Sequence, residues 1–305
     1  IINKHKSYLF VSNFRLNLSQ PKSCIMNKII LFGSLLLSLS IYAQKIDHFE
    51  RIEVEGFYTN PVFSPDGEFV LLTGEHLKGV YLLNLKDKSV KQISDKPGSG
   101  YGYSWDKSGE SFYYKERSEK EYVSNSKVIN YYVKDNHSKK ITSLDHNYLP
   151  SYNGKSGIVV YTNLSNLKIE AKDLSTSKTW TITNDEGQFY NAILSHDGKK
   201  IAVHNGADIF VYNIDGNSKG RKIGTGIATS WTDDDKNLIG FLDESEDGHT
   251  ISNSELYLFD VQNAKTKKIT NTEVIAEMFP TIHQDKIIFA DDKSGSLFIG
   301  TLKIN

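Results

Sequence analysis

The stretch Pro61-Val62-Phe63-Ser64-Pro65-Asp66-Gly67 is a short apolar segment that ends in a tight turn, and it recurs along the chain. Its proline, aspartate and glycine supply the backbone conformations that a turn between two strands requires. Six copies can be recognised, and the other five cover residues 103–109, 150–154, 192–198, 230–235 and 280–285. A segment repeated in this way predicts a repeat architecture.

A second pattern follows the first five copies: an apolar run, a polar turn and a short strand-like segment with an isoleucine near its end. It covers residues 80–94, 129–142, 169–183, 209–224 and 256–270. Successive closing isoleucines are 48, 41, 41 and 46 residues apart, at Ile93, Ile141, Ile182, Ile223 and Ile269. A period in the forties, built from strand-type runs and turns, predicts propeller blades of four strands each.

The two ends of the repeat region are complementary. The sixth copy supplies only three strands, between residues 278 and 303. A strand-like segment at residues 49–54 precedes the first turn and has no other partner in the repeat. Pairing it with the last blade would remove two exposed sheet edges. We therefore predict an all-β fold: a six-bladed β-propeller of four-stranded antiparallel blades, closed by an N-terminal strand that joins the last blade.

The N-terminal region contains a predicted export signal. Residues 26–28 form a short positive segment, the thirteen residues 29–41 are uncharged and mostly apolar, and the small residue Ala43 follows. This order is typical of a secretory signal peptide, because the apolar run is too short to cross a hydrocarbon core about 30 Å thick comfortably. The alternative is an N-terminal anchor helix that is retained.

Three segments are expected on this basis. Residues 1–25 would be an over-translated segment upstream of the start, residues 26–43 a signal peptide, and residues 44–305 the propeller domain. The propeller would then be periplasmic or secreted. Because Cys24 is the only cysteine of the chain, we expect no disulfide in the exported domain, whose core must be stabilised by packing.

Charge and hydropathy limit the expected partners. The 36 Lys and Arg residues nearly balance the 37 Asp and Glu residues, so the formal net charge is −1. A near-neutral chain gives no reason to expect nucleic acid or an anionic membrane as partner. No apolar segment after Gln44 is long enough to cross a bilayer. The expected partner is a protein or a component of the cell envelope.

The repeat residues resemble those of a known family. Residues 61–67 resemble the hallmark of TolB-type propellers, and residues 209–216 resemble their strand followed by an Asp-Gly turn. Similar repeats occur in propeller domains of prolyl-oligopeptidase-type peptidases and in some oligosaccharide lyases. The resemblance covers residues 44–305 and implies the fold, but it implies little about function, because the matching residues serve turns and packing. We find no counterpart of TolB's α/β domain or of the peptidases' hydrolase domain.

Motifs for catalysis are missing from the sequence. It contains no Gly-x-Ser-x-Gly elbow, no His-Glu-x-x-His segment and no cysteine cluster. No catalytic residue is therefore predicted, and no cofactor is expected apart from a possible calcium ion.

The candidate calcium site is an acidic segment that begins at Asp243. Oxygen-bearing side chains at alternate positions precede Gly248, which resembles the start of a calcium-binding loop. The carboxylate expected near the end of such a loop is displaced by one residue. The predicted ligands are Asp243, Ser245, Asp247 and Glu255. The alternative is a solvated acidic hairpin loop.

Histidines offer a second kind of candidate site. His76, His204 and His249 fall near the connection between the second and third strands of their blades. Some propeller lyases use histidines with a divalent metal, which keeps a metal-assisted enzyme as an alternative. Because blades one, four and five are not contiguous and each histidine is placed in a polar loop, we expect solvated loop histidines instead.

The longest insertions indicate a partner-binding face. Residues 116–127 in blade two and 243–255 in blade five connect second to third strands, and they would face each other across a six-bladed ring. The alternative is that both are unselected insertions. The residues predicted for this face are His76, Tyr101, His146 and His249.

The sequence thus favours an exported, non-catalytic binding module for a protein or an envelope component. The alternatives are a metal-assisted, lyase-like enzyme that acts on polysaccharide from the propeller funnel, and an accessory subunit of an envelope complex.

Overall fold

The computed structural model describes residues 46–96, 98–117, 126–142, 151–153, 157–245, 247 and 250–304. These residues form 24 β-strands and two 3-10 helices of three residues each. Across the described residues, no helix is both long and apolar enough to span a membrane.

The strands are arranged in six four-stranded sheets, which form the blades. In five blades the four strands are consecutive along the chain, and the sixth blade includes the first strand. Blade one contains β2 (Thr59–Phe63), β3 (Phe69–Thr73), β4 (Val80–Asn84) and β5 (Val90–Ser94). Blade two contains β6 (Tyr103–Trp105), β7 (Ser111–Glu116), β8 (Lys127–Tyr132) and β9 (His137–Ile141). Blade three contains β10 (Ser151–Asn153), β11 (Ile158–Asn163), β12 (Lys168–Asp173) and β13 (Thr179–Thr181).

The remaining sheets complete the ring. Blade four contains β14 (Tyr190–Leu194), β15 (Lys200–Asn205), β16 (Asp208–Asn213) and β17 (Arg221–Thr225). Blade five contains β18 (Ile227–Trp231), β19 (Asn237–Glu244), β20 (Asn253–Asp260) and β21 (Lys265–Lys268). Blade six contains β22 (Glu277–His283), β23 (Lys286–Asp291), β24 (Leu297–Leu302) and the N-terminal strand β1 (Ile46–Arg51).

The predicted fold is confirmed, including the closing strand. Strand β1 pairs antiparallel with β24, so that Ile46 lies opposite Leu302 and Arg51 opposite Phe298. The strand begins three residues earlier than expected and ends at Arg51 instead of residue 54. Pairing the first strand with the last blade leaves no gap in the ring, because it supplies the outermost strand that blade six lacks.

The core lies between neighbouring blades. In β3, Leu71 packs with Val80 and Trp105 in one buried cluster, toward blade two. Val70, in contrast, packs with Ile288 of blade six in another cluster. Both faces of an inner strand are therefore buried, which explains why the apolar runs do not alternate with polar residues. Each such leucine or valine contributes about 2 kcal/mol of burial free energy.

The outermost strands carry lysine instead. Strand β9 contains Lys139 and Lys140, both exposed, and β5 contains Lys91. Strand β21 has three lysines among its four residues. Charged side chains on an edge strand oppose pairing with a second chain, because they would have to be desolvated.

The connections open alternately on two faces of the ring, because consecutive strands of each blade are antiparallel. We call turn face the face that carries the first-to-second and third-to-fourth strand turns. The loop face carries the second-to-third connections and the connections between blades.

Contacts between blades fix the turn face. The Asp235 carboxylate in blade five accepts hydrogen bonds from the main-chain nitrogens of His196 and Asp197 in blade four, both at 2.8 Å. Asp233 accepts one from the Gln284 nitrogen in blade six at 3.0 Å. The turns of three consecutive blades are thereby joined, which gives their repeated Asp residues a structural role.

Candidate functional site

Two of the predicted partner-binding residues lie on the loop face and are brought together. His76 belongs to the 3-10 helix η1 (Glu75–Leu77), and Tyr101 belongs to η2 (Ser99–Tyr101). The two helices pack together, and Gly100 lies so close to the Thr73 hydroxyl and the Leu77 carbonyl that a β-carbon would clash. The side chain of Tyr101 remains 66% exposed. A glycine at this contact therefore allows the neighbouring aromatic ring to be presented to solvent.

The other two predicted residues, His146 and His249, lie outside the described residues. The same holds for residues 118–125 of the blade-two insertion. At the base of that insertion, Glu116 pairs with Lys96 at 2.9 Å and accepts a hydrogen bond from the Ser94 hydroxyl at 3.3 Å. The insertion therefore starts from a point that is tied to blade one.

The sequence analysis missed most of the apolar residues that the loop face exposes. Among the described residues, five large apolar side chains are exposed: Tyr101, Leu164, Tyr190, Ile227 and Val274. All five lie on the loop face, in a connection or at the first residue of an innermost strand. Val274 is the most exposed, at 83%. The described part of the turn face exposes no large apolar side chain.

Four of these side chains lie at, or two to three residues before, the start of an innermost strand. Tyr190 and Ile227 begin the innermost strands β14 and β18. Tyr101 and Val274 lie in the connections that lead into β6 and β22. Because innermost strands surround the central channel, the four positions lie around its mouth. An apolar residue shortly before the hallmark turn is the sequence signal that these positions offer. Of the four, only Tyr101 was predicted for this face, because it lies near the long insertions.

The ring of Tyr190 is held in place. Its hydroxyl donates a hydrogen bond to the Gly206 carbonyl at 2.7 Å. The ring stacks on the His204 imidazole, with centroids 5.6 Å apart and an interplanar angle of 27°. A fixed aromatic ring loses little conformational entropy on binding, which suits it to an interface.

His204 is not the solvated loop histidine that we expected. It lies in strand β15, is 1% exposed, and its Nε2 accepts a hydrogen bond from the Ala228 nitrogen at 3.0 Å. The Asn191 side-chain amide lies 3.3 Å from its Nδ1. Burial lowers the pKa of His204 to about 4, so the imidazole is neutral at pH 7. Its role is to join the innermost strands of blades four and five.

The predicted calcium ligands are divided by the hairpin of blade five. Asp243 in β19 lies opposite Ser254 in β20, and Glu255 is the next residue. Residues opposite each other point to the same side of a sheet and consecutive residues to opposite sides. The Asp243 and Glu255 side chains therefore lie on different faces of the hairpin.

The remaining ligands lie at the hairpin end. Asp247 accepts hydrogen bonds from the Thr250 nitrogen at 2.7 Å and from the Ser245 hydroxyl at 3.1 Å. The described residues contain no group of three or more His, Cys, Asp or Glu side chains that could hold a metal ion. Glu246 and Gly248 of the same loop lie outside the described residues, and calcium binding at this loop stays a prediction.

Three of the solved structures that are similar to this chain illustrate the likeness. A protein described as TolB from Agrobacterium tumefaciens has a TM-score of 0.57 and 14% sequence identity, with 84% of this chain and 97% of that chain covered. TolB from Acinetobacter baumannii has a TM-score of 0.51 and 13% identity, with 81% of this chain and 54% of that chain covered. The oligogalacturonate lyase from Vibrio parahaemolyticus has a TM-score of 0.53 and 11% identity, with coverages of 82% and 79%.

These similarities concern the fold. The chain spans about half the length of the Acinetobacter protein. No protein-family model and no curated protein sequence matches it. Because one fold supports unrelated functions, identities this low carry no activity from one protein to another. The comparisons and the strand order together establish a six-bladed β-propeller whose structure is similar to TolB propellers and to an oligogalacturonate lyase.

Proposed function

We propose that this chain is a non-catalytic binding module whose protein partner docks on the loop face. One observation carries the proposal: all five exposed large apolar side chains of the described residues lie on that face. Isolated apolar residues are common on protein surfaces, but their restriction to one face is not expected from folding alone. Docking would remove these side chains from water.

The two faces differ in a way that fits this role. The turn face is occupied by hydrogen bonds between blades, such as those of Asp235 with residues 196 and 197. The loop face instead combines exposed Tyr101 and Val274 with the polar connections around them. Aromatic and aliphatic anchors within a polar surround are typical of protein interfaces. A rigid ring of strands would hold these anchors in place without ordering costs.

The proposed site of action is the periplasm or the extracellular space. The order of charged, apolar and small residues in 26–43 supports export, as the sequence analysis argued. The partner would then be a protein of the cell envelope, either free or as part of a complex in which this chain is an accessory subunit.

A metal-assisted, lyase-like enzyme is the second candidate. The structural similarity to an oligogalacturonate lyase favours it. Of the three histidines considered for it, His204 already engages the Ala228 nitrogen and His76 is an exposed residue paired with Glu75 at 3.7 Å. The test is cleavage of oligogalacturonide with and without added Mn²⁺, followed by ultraviolet absorbance of the unsaturated product. Measurable turnover would contradict the binding-module proposal.

Substitutions on the loop face test the main proposal. Tyr101→Ser, Leu164→Ser and Val274→Ser should be combined in one variant, which loses three exposed apolar anchors. Capture of envelope proteins by the immobilised variant should fall at least tenfold for any specific partner of the wild type. The melting temperature should stay nearly constant, since the side chains are exposed.

A matched control sits on the turn face. Lys86→Ser, Lys134→Ser and Lys199→Ser replace three exposed residues there. This control should capture the partner as the wild type does. A partner that binds the loop-face variant normally but is lost by the control would place the interface on the opposite side and overturn the proposal.

A further inference from the structure

Two glutamates share one buried pocket between blades five and six. Glu255 lies in strand β20 of blade five, and Glu277 begins the innermost strand of blade six. The strands are joined here by the Ser254 hydroxyl, which donates a hydrogen bond to the Glu277 carbonyl oxygen at 2.6 Å. Ser254 also forms a parallel bridge with Ala276, so the next residues of the two strands, Glu255 and Glu277, are neighbours.

Three of the four carboxylate oxygens in this pocket have no hydrogen-bond partner. Glu277 is 0% exposed, and neither of its side-chain oxygens is bonded. Glu255 is 4% exposed, and its Oε2 is also unbonded. The Oε1 of Glu255 pairs with the Lys268 ammonium at 3.1 Å and accepts a hydrogen bond from the Thr272 nitrogen at 3.0 Å.

Such an arrangement favours a bound positive group, in addition to those that the protein itself supplies. Burying an unpaired carboxylate costs several kcal/mol, and two carboxylates in one pocket also repel each other. Lys268 offsets one of the two charges, which leaves one negative charge uncompensated. Desolvation and the neighbouring Glu255 raise the pKa of Glu277 to about 7. A cation bound beside the unbonded carboxylate oxygens would offset the remaining charge.

We propose that the Glu255–Glu277 pocket binds a single hard metal cation. All available ligands are oxygens, which such cations prefer. They are the carboxylate oxygens and the neighbouring hydroxyls of Thr270 and Thr272, whose interaction with Glu277 lowers its pKa. The residual charge of −1 suits Na⁺, while Ca²⁺ would also displace Lys268.

The site differs from the calcium loop predicted from the sequence. It keeps Glu255 but replaces Asp243 and Asp247 with Glu277, which lies 22 residues farther along the chain than Glu255. With two carboxylates, it falls below the three acidic or histidine side chains that mark a conventional metal cluster. Its bound cation would stabilise the seam between blades five and six.

The experiment measures melting temperature of residues 44–305 at pH 8 and constant ionic strength, in choline chloride, NaCl or choline chloride with millimolar CaCl₂. The wild type should melt several degrees higher with Na⁺ or Ca²⁺ than with choline alone, because the cation binds only the folded state. Glu277→Gln should remove this difference and melt at least as high as the wild type in choline. Asp247→Asn, which alters only the hairpin loop, should keep the difference.

Calorimetric titration of Ca²⁺ into the wild type provides a readout that does not depend on the variants. Heat of binding at one site per chain, absent from Asp247→Asn but retained by Glu277→Gln, would assign the ion to the hairpin loop and overturn the proposal. A wild-type melting temperature that is the same in all three salts, yet rises from pH 8 to pH 6, would show that the two carboxylates share a proton instead.

Discussion

The indole nitrogen of Trp231 in blade five donates a hydrogen bond to the main-chain carbonyl of Ile193 in blade four, over 2.9 Å. Trp105 in blade two makes the equivalent bond to Val62 in blade one at 3.2 Å. Both tryptophans are the last residue of an innermost strand and are buried. The aromatic position of the repeat therefore joins a blade to the one before it, as well as filling the core.

Replacing Trp231 by Phe should destabilise the propeller by about 2–4 kcal/mol. The change removes the hydrogen-bond donor to the Ile193 carbonyl. It also leaves a cavity where the larger indole ring of Trp231 is packed. Urea unfolding measures the difference. Trp180→Phe is the control, since Trp180 makes a similar bond to the Ile214 carbonyl but is only half-buried. Equal losses of unfolding free energy in the two variants would show that the burial of Trp231 does not add to the effect.

Phe49→Ala should weaken the closure of the ring. The Phe49 ring packs edge-on against Phe289 and Phe298, with centroids 5.3 and 5.7 Å apart. We expect a loss of about 2–3 kcal/mol, somewhat less than for a fully buried phenylalanine. Glu50→Ala, an exposed position on the same strand, should have little effect. Calorimetry should show one transition at a lower temperature, and an unchanged transition would refute the closing role of β1.

The burial of His204 should make stability depend on pH. Its pKa is about 4 in the folded protein and 6.5 in the unfolded chain, so the unfolded chain binds more protons between these values. The histidine's contribution is therefore complete above pH 6.5 and is lost as pH falls toward 4, by on the order of 3 kcal/mol.

Urea unfolding of the wild type and of His204→Gln at pH 7 and pH 4.5 isolates this contribution. The wild type should lose more free energy of unfolding than the variant over this interval. Because Glu277 titrates in both proteins, its own pH dependence cancels in the comparison. Equal losses would mean that His204 is accessible to protons in the folded state.

Asp235→Asn should loosen the turn face. The carboxylate accepts hydrogen bonds from two main-chain nitrogens of blade four and pairs with the His196 ring at 3.1 Å. We expect a loss of about 1–3 kcal/mol. Asp215→Asn is the control, because Asp215 accepts a hydrogen bond of 3.0 Å from the Asn217 nitrogen within its own turn.

The same ion pair predicts a titration shift. The hydrogen bond from His196 to Asp235 raises the pKa of this histidine, so its stabilising effect is complete below pH 6.5 and is lost as pH rises through the raised value. Proton NMR of the His196 ring should show a pKa that falls toward 6.5 in Asp235→Asn. An unshifted titration in the wild type would rule out the ion pair in solution.

The blades could be predicted from the sequence, because their markers are local. The turn at residues 61–67 and its later copies fix where one strand ends and the next begins, and such turn chemistry depends on adjacent residues alone. The unmatched strand near Phe49 was also recognisable, since a repeat with one strand missing at its end needs that strand from its beginning.

Only the tertiary structure decided which polar residues are buried and which apolar residues are exposed. The sequence predicted a loop histidine at His204. In the structure, the Ala228 nitrogen of blade five donates a hydrogen bond to its ring. Glu255 is a neighbour of Glu277 because blades five and six pack together. The sequence had instead grouped Glu255 with Asp247 as a predicted calcium ligand. Burial and charge compensation depend on every group that surrounds a side chain, and in a ring most of those groups come from the next blade.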